Sequence, residues 1–451
     1  MTLLFHSTNR TVDEVPVGSA LLQGQAGDKG LFMPNSIPQL TAELLKQARD
    51  LSYPELAVEI LWPYVEGTFS RDEIEEICHS AYDFEVPLEN VTGNQFLMRL
   101  DQGPTASFKD FAARFMGRSL GKLVARRGKD LLILTATSGD TGSAVASAFL
   151  GVPGIKVLVL FPEDEVSDRQ RKQMTTLGDN IATLALPGKF DDCQALVKQA
   201  FADPDLTELN LSSANSINIG RLLPQSVYYT YSASRLADIA GGEKVVFSVP
   251  SGNFGDMMGG MLAMQSGLPI EKFVIATNAN DEVPLFLETG SYSKLAPSKV
   301  CISNAMNVGH PSNLARLVSL YGGHMDEVGK LTKPADMEKM RNELFAISIS
   351  DQETRATIKS VYENHNTMLE PHGAVGWAGM MRYFDANPSD ITAISLETAH
   401  PAKFPDEVRT LTGCEPVLPP SLEGIEELEE LYGELPVDYE AFKSFLVREY
   451  K

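Results

Sequence analysis

The sequence predicts an α/β protein with open, mostly parallel sheets, and three observations carry that reading. From Leu131 onward, short apolar runs ("LLILTAT", "KVLVLFP", "KVVFSVP", "KFVIATN", "ITAISLET") alternate with segments of helical periodicity. The runs are continuously apolar rather than alternating, as parallel strands are when helices cover both faces of their sheet. Each run ends in a polar or Gly-rich turn, and in such sheets ligands collect at the carboxyl ends of the strands.

The 451 residues, 43% of them hydrophobic, suffice for two or three domains. A formal net charge of -22 argues against nucleic acid or an anionic membrane as partner. The four cysteines lie far apart without metal-ligand spacing, so neither a metal site nor a disulfide framework is expected. The start, "MTLLFHSTNRTVDEV", has no basic n-region followed by a long apolar run, and a cytoplasmic location is expected.

Residues 1–98 read as a helix-rich, acidic accessory domain, followed by one α/β lobe over 99–235 and a second over 236–451 that ends in C-terminal helices. At the start of the first lobe, "GPTASFKDFAARFMG" has Phe108, Phe111, Ala112, Phe115 and Met116 at helical spacing, with Ser107 and Asp110 in a capping-box pattern. Lys109 thus falls in the first turn, where the helix dipole disfavours a cation. A free lysine amine, with a pKa of about 10.4, becomes a nucleophile and proton carrier only when its surroundings disfavour the charge. The competing reading is a side chain turned to water or paired with Asp101 or Asp110.

Next, "TATSGDTGSAVA" places Ser138, Asp140 and Thr141 in a strand-to-helix turn that can hold a carboxylate or phosphate, or simply cap its helix. "NLSSANSINIGRLLPQ" crowds Asn215, Ser216, Asn218 and Arg221 into one loop, neutral donors beside a fork-shaped cation suited to a phosphate. "VPSGNFGD" (Gly252, Asn253, Phe254, Gly255, Asp256) suits a phosphate cradled by backbone amides, and it matches neither the dinucleotide nor the P-loop pattern. The last strand ends at Glu397-Thr398, where a hydroxyl can meet a ring nitrogen or begin an ordinary turn. In the C-terminal tail, Ile425, Leu428 and Tyr432 at helical spacing predict a solvated helix pair packed on the body. An activated lysine, an amide cradle, a hydroxyl for a ring nitrogen and a carboxylate loop together match pyridoxal 5'-phosphate and an amino-acid substrate.

The blocks "GLFMP", "GPTASFKDFAARFMG", "LTATSGDTGSAVA", "SANSINIGRLLPQ", "VPSGNFGD", "NAMNVGHPSN", "EPHGAVG" and "TAHPAKF" resemble, in order and over nearly the whole length, the threonine synthases with an extra N-terminal domain. The resemblance implies a fold-type II pyridoxal-phosphate enzyme (tryptophan synthase β-like), with two α/β lobes of open sheets plus a helix-rich N-terminal domain. It implies conversion of O-phospho-L-homoserine and water to L-threonine and phosphate by γ-elimination and β-addition of water, the last step of threonine biosynthesis.

Carried over by position, Lys109 is similar to the Schiff-base lysine and main proton shuttle. Gly252, Asn253, Phe254 and Gly255 are then similar to the cofactor phosphate loop, with Asp256 a further cofactor-binding residue, Thr398 facing the pyridine nitrogen and Asp140 near the cofactor ring. Ser138 and Thr141 take the substrate carboxylate, and Asn215, Ser216 and Arg221 the substrate phosphate. A neutral hydroxyl at the ring nitrogen is expected to favour elimination and replacement over transamination. The resemblance also implies a monomer, and the need to exclude water from a reactive intermediate predicts movement of the Gly-rich lobe near 99–235 on substrate binding. Asn307 stands where many relatives carry aspartate, His310 reads as structural, and Glu370 and His372 read either as cofactor neighbours or as a packed helix start. A phospho-lyase giving a keto acid, ammonia and phosphate is the enzymatic alternative; a noncatalytic binding protein retaining the fold is the other.

Overall fold

In the computed structural model, which describes residues 2–451, the N-terminal segment is helix-rich around a small three-stranded antiparallel sheet of Leu4–Ser7, Val15–Pro16 and Phe32–Pro34. The helices Tyr53–Val65 and Arg71–Ala81 begin at capping boxes, Ser52 with Glu55 and Ser70 with Glu73. Their apolar faces bury Leu56, Leu61, Ile74 and Ile77 completely or nearly so.

Two larger sheets follow. The first has the strand order Gly433–Glu434, Ile181–Leu186, Ile155–Pro162, Leu131–Ala136, Leu211–Ser213, all neighbours parallel. The second runs Leu344–Ser348, Ile270–Thr277, Val245–Pro250, Ala393–Glu397, Gln95–Arg99, Leu88–Thr92, parallel except for its last pair. The hairpin at 88–99 straddles the expected boundary at 98 and pairs with the strand Ala393–Glu397.

The C-terminal tail differs from the expected helix pair. Ile425–Glu427 is one 3-10 turn, Gly433–Glu434 pairs with Leu184 and Ala185, and the only α-helix after residue 412 is Tyr439–Tyr450. Pro419, Pro420 and Gly424 break helical continuity, and Arg171 draws Glu430 into an ion pair at 2.8 Å. Phe442 and Leu446 complete an apolar cluster with Leu184, Leu196 and Val197 on the first sheet.

An aromatic group ties the N-terminal segment to the lobes. Phe111 meets Tyr53, Phe84 and Tyr228 with ring centroids 5.3, 4.9 and 5.4 Å away. It lies in the first turn of the helix Lys109–Arg127 and so fixes the start of that helix.

Candidate active site

Strand ends from both sheets converge on one cleft. Lys109, Ser138, Asp140, Thr141, Asn215, Ser216, Arg221, Gly252 to Asp256 and Thr398 all line it, whereas Asn218, Asn307, His310 and Glu370 do not.

The helix bearing Lys109 starts differently from expectation. Its first residue is Lys109 itself, the Ser107 hydroxyl is buried without a partner, and no capping box forms. Asp110 instead turns back to Thr105, accepting from its backbone N–H at 2.8 Å and its hydroxyl at 2.7 Å. Lys109 nevertheless keeps its first-turn place. Its Nζ lies 4.4 Å from the Phe108 ring centroid and 3.9 Å from Asp140 Oδ2, beyond hydrogen-bond reach. Burial lowers its pKa to about 8, Asp140 opposing and Arg221 and Lys403 reinforcing the shift.

Asp140 begins the helix Asp140–Phe149, and its carboxylate accepts from Lys403 Nζ at 2.6 Å and Gln170 Nε2 at 2.8 Å. Burial alone would raise this carboxyl, but Lys403 and Lys109 hold it well below the usual carboxylate range. Gly139 before it has φ +134°, and a Cβ there would lie 2.5 Å from Gln170.

The turn after Val245–Pro250 is more open. The backbone N–H groups of Gly252 through Met257 find no acceptor among the described residues, while Met258 N–H closes the first helical bond to Phe254. Phe254, almost fully buried, sits at φ +63°, a left-handed conformation that a bulky residue rarely takes. Behind it, Asp256 Oδ1 accepts from the Tyr228 and Tyr229 hydroxyls at 2.5 and 2.6 Å, while Oδ2 is buried without a partner. Burial raises the Asp256 pKa to about 6 despite those bonds.

Arg221 is buried, its Nη1 donating to Ala214 O at 2.6 Å and its Nε unpartnered. Burial lowers its pKa to about 10, so it remains a cation. Asn215 Nδ2 donates to Ala136 O at 2.9 Å, and Ser216 Oγ accepts from Asn313 Nδ2 at 3.0 Å. Asn218 lies behind the loop, tying it to Leu21 O and Ser213 O. Thr398 passes its carbonyl to Phe108 N–H at 2.9 Å, and its hydroxyl has no partner among the described residues.

Two contributors, Lys403 and Arg316, escaped the sequence reading. Lys403 stands inside "TAHPAKF", but only the fold brings it to Asp140. Arg316, fully buried, donates to Phe32 O, Ser216 O, Ile217 O and Asn313 Oδ1 and so pins the Ser216 loop to the N-terminal segment. Glu370 caps the helix Pro371–Ala386. His372, which lines the cleft, accepts Ala305 N–H at Nε2, so its Nδ1 donates to Glu370 Oε2 at 2.6 Å. His310 meets the Tyr292 hydroxyl at 2.7 Å and lines a neighbouring chamber, and Asn307 accepts from Asn278 at 2.9 Å.

Three family profiles match the chain: "Threonine synthase N terminus" over residues 4–82, "Pyridoxal-phosphate dependent enzyme" over 86–394 and "Threonine synthase, C-terminal" over 373–446. The threonine synthase of Escherichia coli (strain K12) is 38% identical over 436 residues, covering 96% of this chain and 97% of its own. The chain belongs to the threonine synthase family. A crystal structure of pyridoxal-phosphate-bound threonine synthase from Brucella melitensis superposes on all of both chains with a TM-score of 0.92 at 35% identity. Threonine synthase from yeast gives 0.90 at 32% identity, covering 99% of this chain and 98% of its own. A threonine deaminase from Solanum lycopersicum, at TM-score 0.55 and 18% identity, shares the fold alone.

The residues present fit the family's cofactor, pyridoxal phosphate. The run of unpartnered amides at the N-terminus of the helix Gly255–Gln265 suits a phosphate. The unbonded Lys109 amine suits an aldehyde, and the unpartnered Thr398 hydroxyl suits a ring nitrogen.

Proposed function

We propose that the cleft converts O-phospho-L-homoserine and water to L-threonine and inorganic phosphate, with Lys109 as covalent attachment point for the cofactor and as proton carrier. The observation that carries the reading is an amine near pKa 8, free of hydrogen bonds, in a cleft that also holds a bare amide cradle and a buried arginine. What pyridoxal phosphate supplies when bound is an electron sink that acidifies the carbon-bound protons of an amino acid.

The chain's own residues do the rest. With its pKa close to neutrality, Lys109 can both take and return a proton, removing one at the α-carbon and delivering it along the side chain. The amides of Gly252 to Gly255 hold the cofactor phosphate, and Asp256 supports that turn through Tyr228 and Tyr229. The Thr398 hydroxyl would serve the ring nitrogen without adding charge, and Asp140 would help hold the ring. Ser138 and Thr141 orient the substrate carboxylate. Asn215, Ser216 and Arg221 bind the substrate phosphate and stabilise the charge it carries away from the γ-carbon. Walls of both lobes around this point keep out water other than the one that adds at the β-carbon.

The test is to mix protein, cofactor and O-phospho-L-homoserine and to quantify phosphate, threonine and 2-oxobutyrate together. Threonine in step with phosphate is expected, whereas 2-oxobutyrate in its place would establish the phospho-lyase alternative. Lys109→Ala is expected to lower turnover at least about a thousandfold. A cytoplasmic monomer free of nucleic-acid and membrane partners is part of the same proposal, and the net charge of -22 supports the exclusion of nucleic acid and anionic membrane.

A further inference from the structure

The cleft holds two lysines with one carboxylate between them. Asp140 Oδ1 is 2.6 Å from Lys403 Nζ, whereas Asp140 Oδ2 is 3.9 Å from Lys109 Nζ. Lys403, in the short turn Pro401–Lys403, has no exposed surface and also donates to Thr105 O at 2.8 Å, so it is held from two sides. Gln170 anchors Asp140 from the helix Asp168–Thr175. The other charges acting on Lys109 are Arg221 and Asp256, and His372 faces Asp140 from the helix Pro371–Ala386. A carboxylate neutralises the ammonium it touches far better than one beyond hydrogen-bond reach.

We propose that Lys403 is a positioning residue that engages Asp140 in an ion pair of its own and thereby leaves Lys109 without a contact counterion. Without Lys403, the buried Asp140 carboxylate would have Lys109 as its nearest cation, and that pairing would fix the amine in its protonated, unreactive form. Without Asp140, Lys403 and Arg221 would both bear on Lys109 uncompensated. The two losses therefore move the Lys109 amine in opposite directions, which no purely architectural role for Lys403 predicts. The inference rests on Lys109 being the cofactor-capturing residue.

The experiment follows the rate at which the cofactor-stripped full-length protein captures pyridoxal phosphate, read by absorbance across pH, with borohydride reduction to confirm the covalent link. The unaltered protein is expected to show a midpoint at about 8. Lys403→Met is expected to raise the midpoint by about one pH unit or more, and Asp140→Asn to lower it. An unmoved midpoint in Lys403→Met, or shifts of both variants in one direction, would overturn the inference. Should Lys403→Met fail to fold, Asp140→Asn decides, because a raised or unchanged midpoint there overturns it equally. Lys109→Ala should form no reducible adduct. An adduct in that variant would overturn the underlying reading of Lys109, whereas loss of the adduct with unmoved midpoints elsewhere overturns only the role of Lys403.

Discussion

The two strand-to-helix turns that face each other across the cleft share one design and end in different chemical states. Each follows a fully buried strand, Leu131–Ala136 or Val245–Pro250, and each places an aspartate at the start of the next helix. In the first turn, the Thr137 hydroxyl accepts from Gly139 and Gly142 N–H at 2.9 and 2.8 Å, and two lysines keep Asp140 ionised. In the second, Gly252 through Met257 keep their amides free, and Asp256 touches only tyrosine hydroxyls and rises to about 6. The difference comes from what distant segments bring to each turn: Lys403 and Gln170 to one, Tyr228 and Tyr229 to the other. Under the proposal above, the turn with spare donors and a protonatable acid receives the doubly charged cofactor phosphate.

That contrast can be broken at three points. Gly255→Asp would put a carboxylate among the free amides, with its Cβ 3.1 Å from Ser216 Cβ. Like charges at contact cost several kcal/mol, so cofactor affinity should fall at least about a hundredfold in equilibrium titration. Asp256→Asn sharpens the comparison of the two acids. The folded-state pKa of about 6 lies above the ordinary 3.8, so the folded protein holds an extra proton between these values and loses stability as pH rises through that window. Asparagine removes the effect, and urea unfolding of the cofactor-free protein should find the variant equal to the parent near pH 4 and about 3 kcal/mol more stable near pH 8. Thr137→Val should do the reverse in the first turn. It strands two buried N–H groups and lowers thermal stability by about 2 kcal/mol, while cofactor affinity changes less than in Gly255→Asp.

What the sequence disclosed were features written locally. Apolar runs and their polar ends located the central strands, and turn chemistry located both aspartates. The hairpin of "LENVT" and "QFLMR" was hidden because Leu88–Thr92 lies at the sheet edge with one polar side, so its pattern is neither continuous nor cleanly alternating. Ser107 and Asp110 spelled a capping box, but Thr105 offers Asp110 two donors at once, and that local competition outweighed the cap. Lys403 and Arg316 carried no signal at all. Each matters through acceptors far away in the chain, and no periodicity records such a partner.

The tail that closes the first sheet has a consequence for biosynthesis. The apolar surface around Leu184, Leu196 and Val197 is capped by Phe442 and Leu446, and the strand Ile181–Leu186 gains Gly433–Glu434 as its outer neighbour. Both contributions come from chain that is made only after the whole second sheet has been translated. The first sheet therefore cannot be completed until that downstream segment has been made, and its open edge and greasy patch stay exposed to chaperones, or to other nascent copies, in the interval.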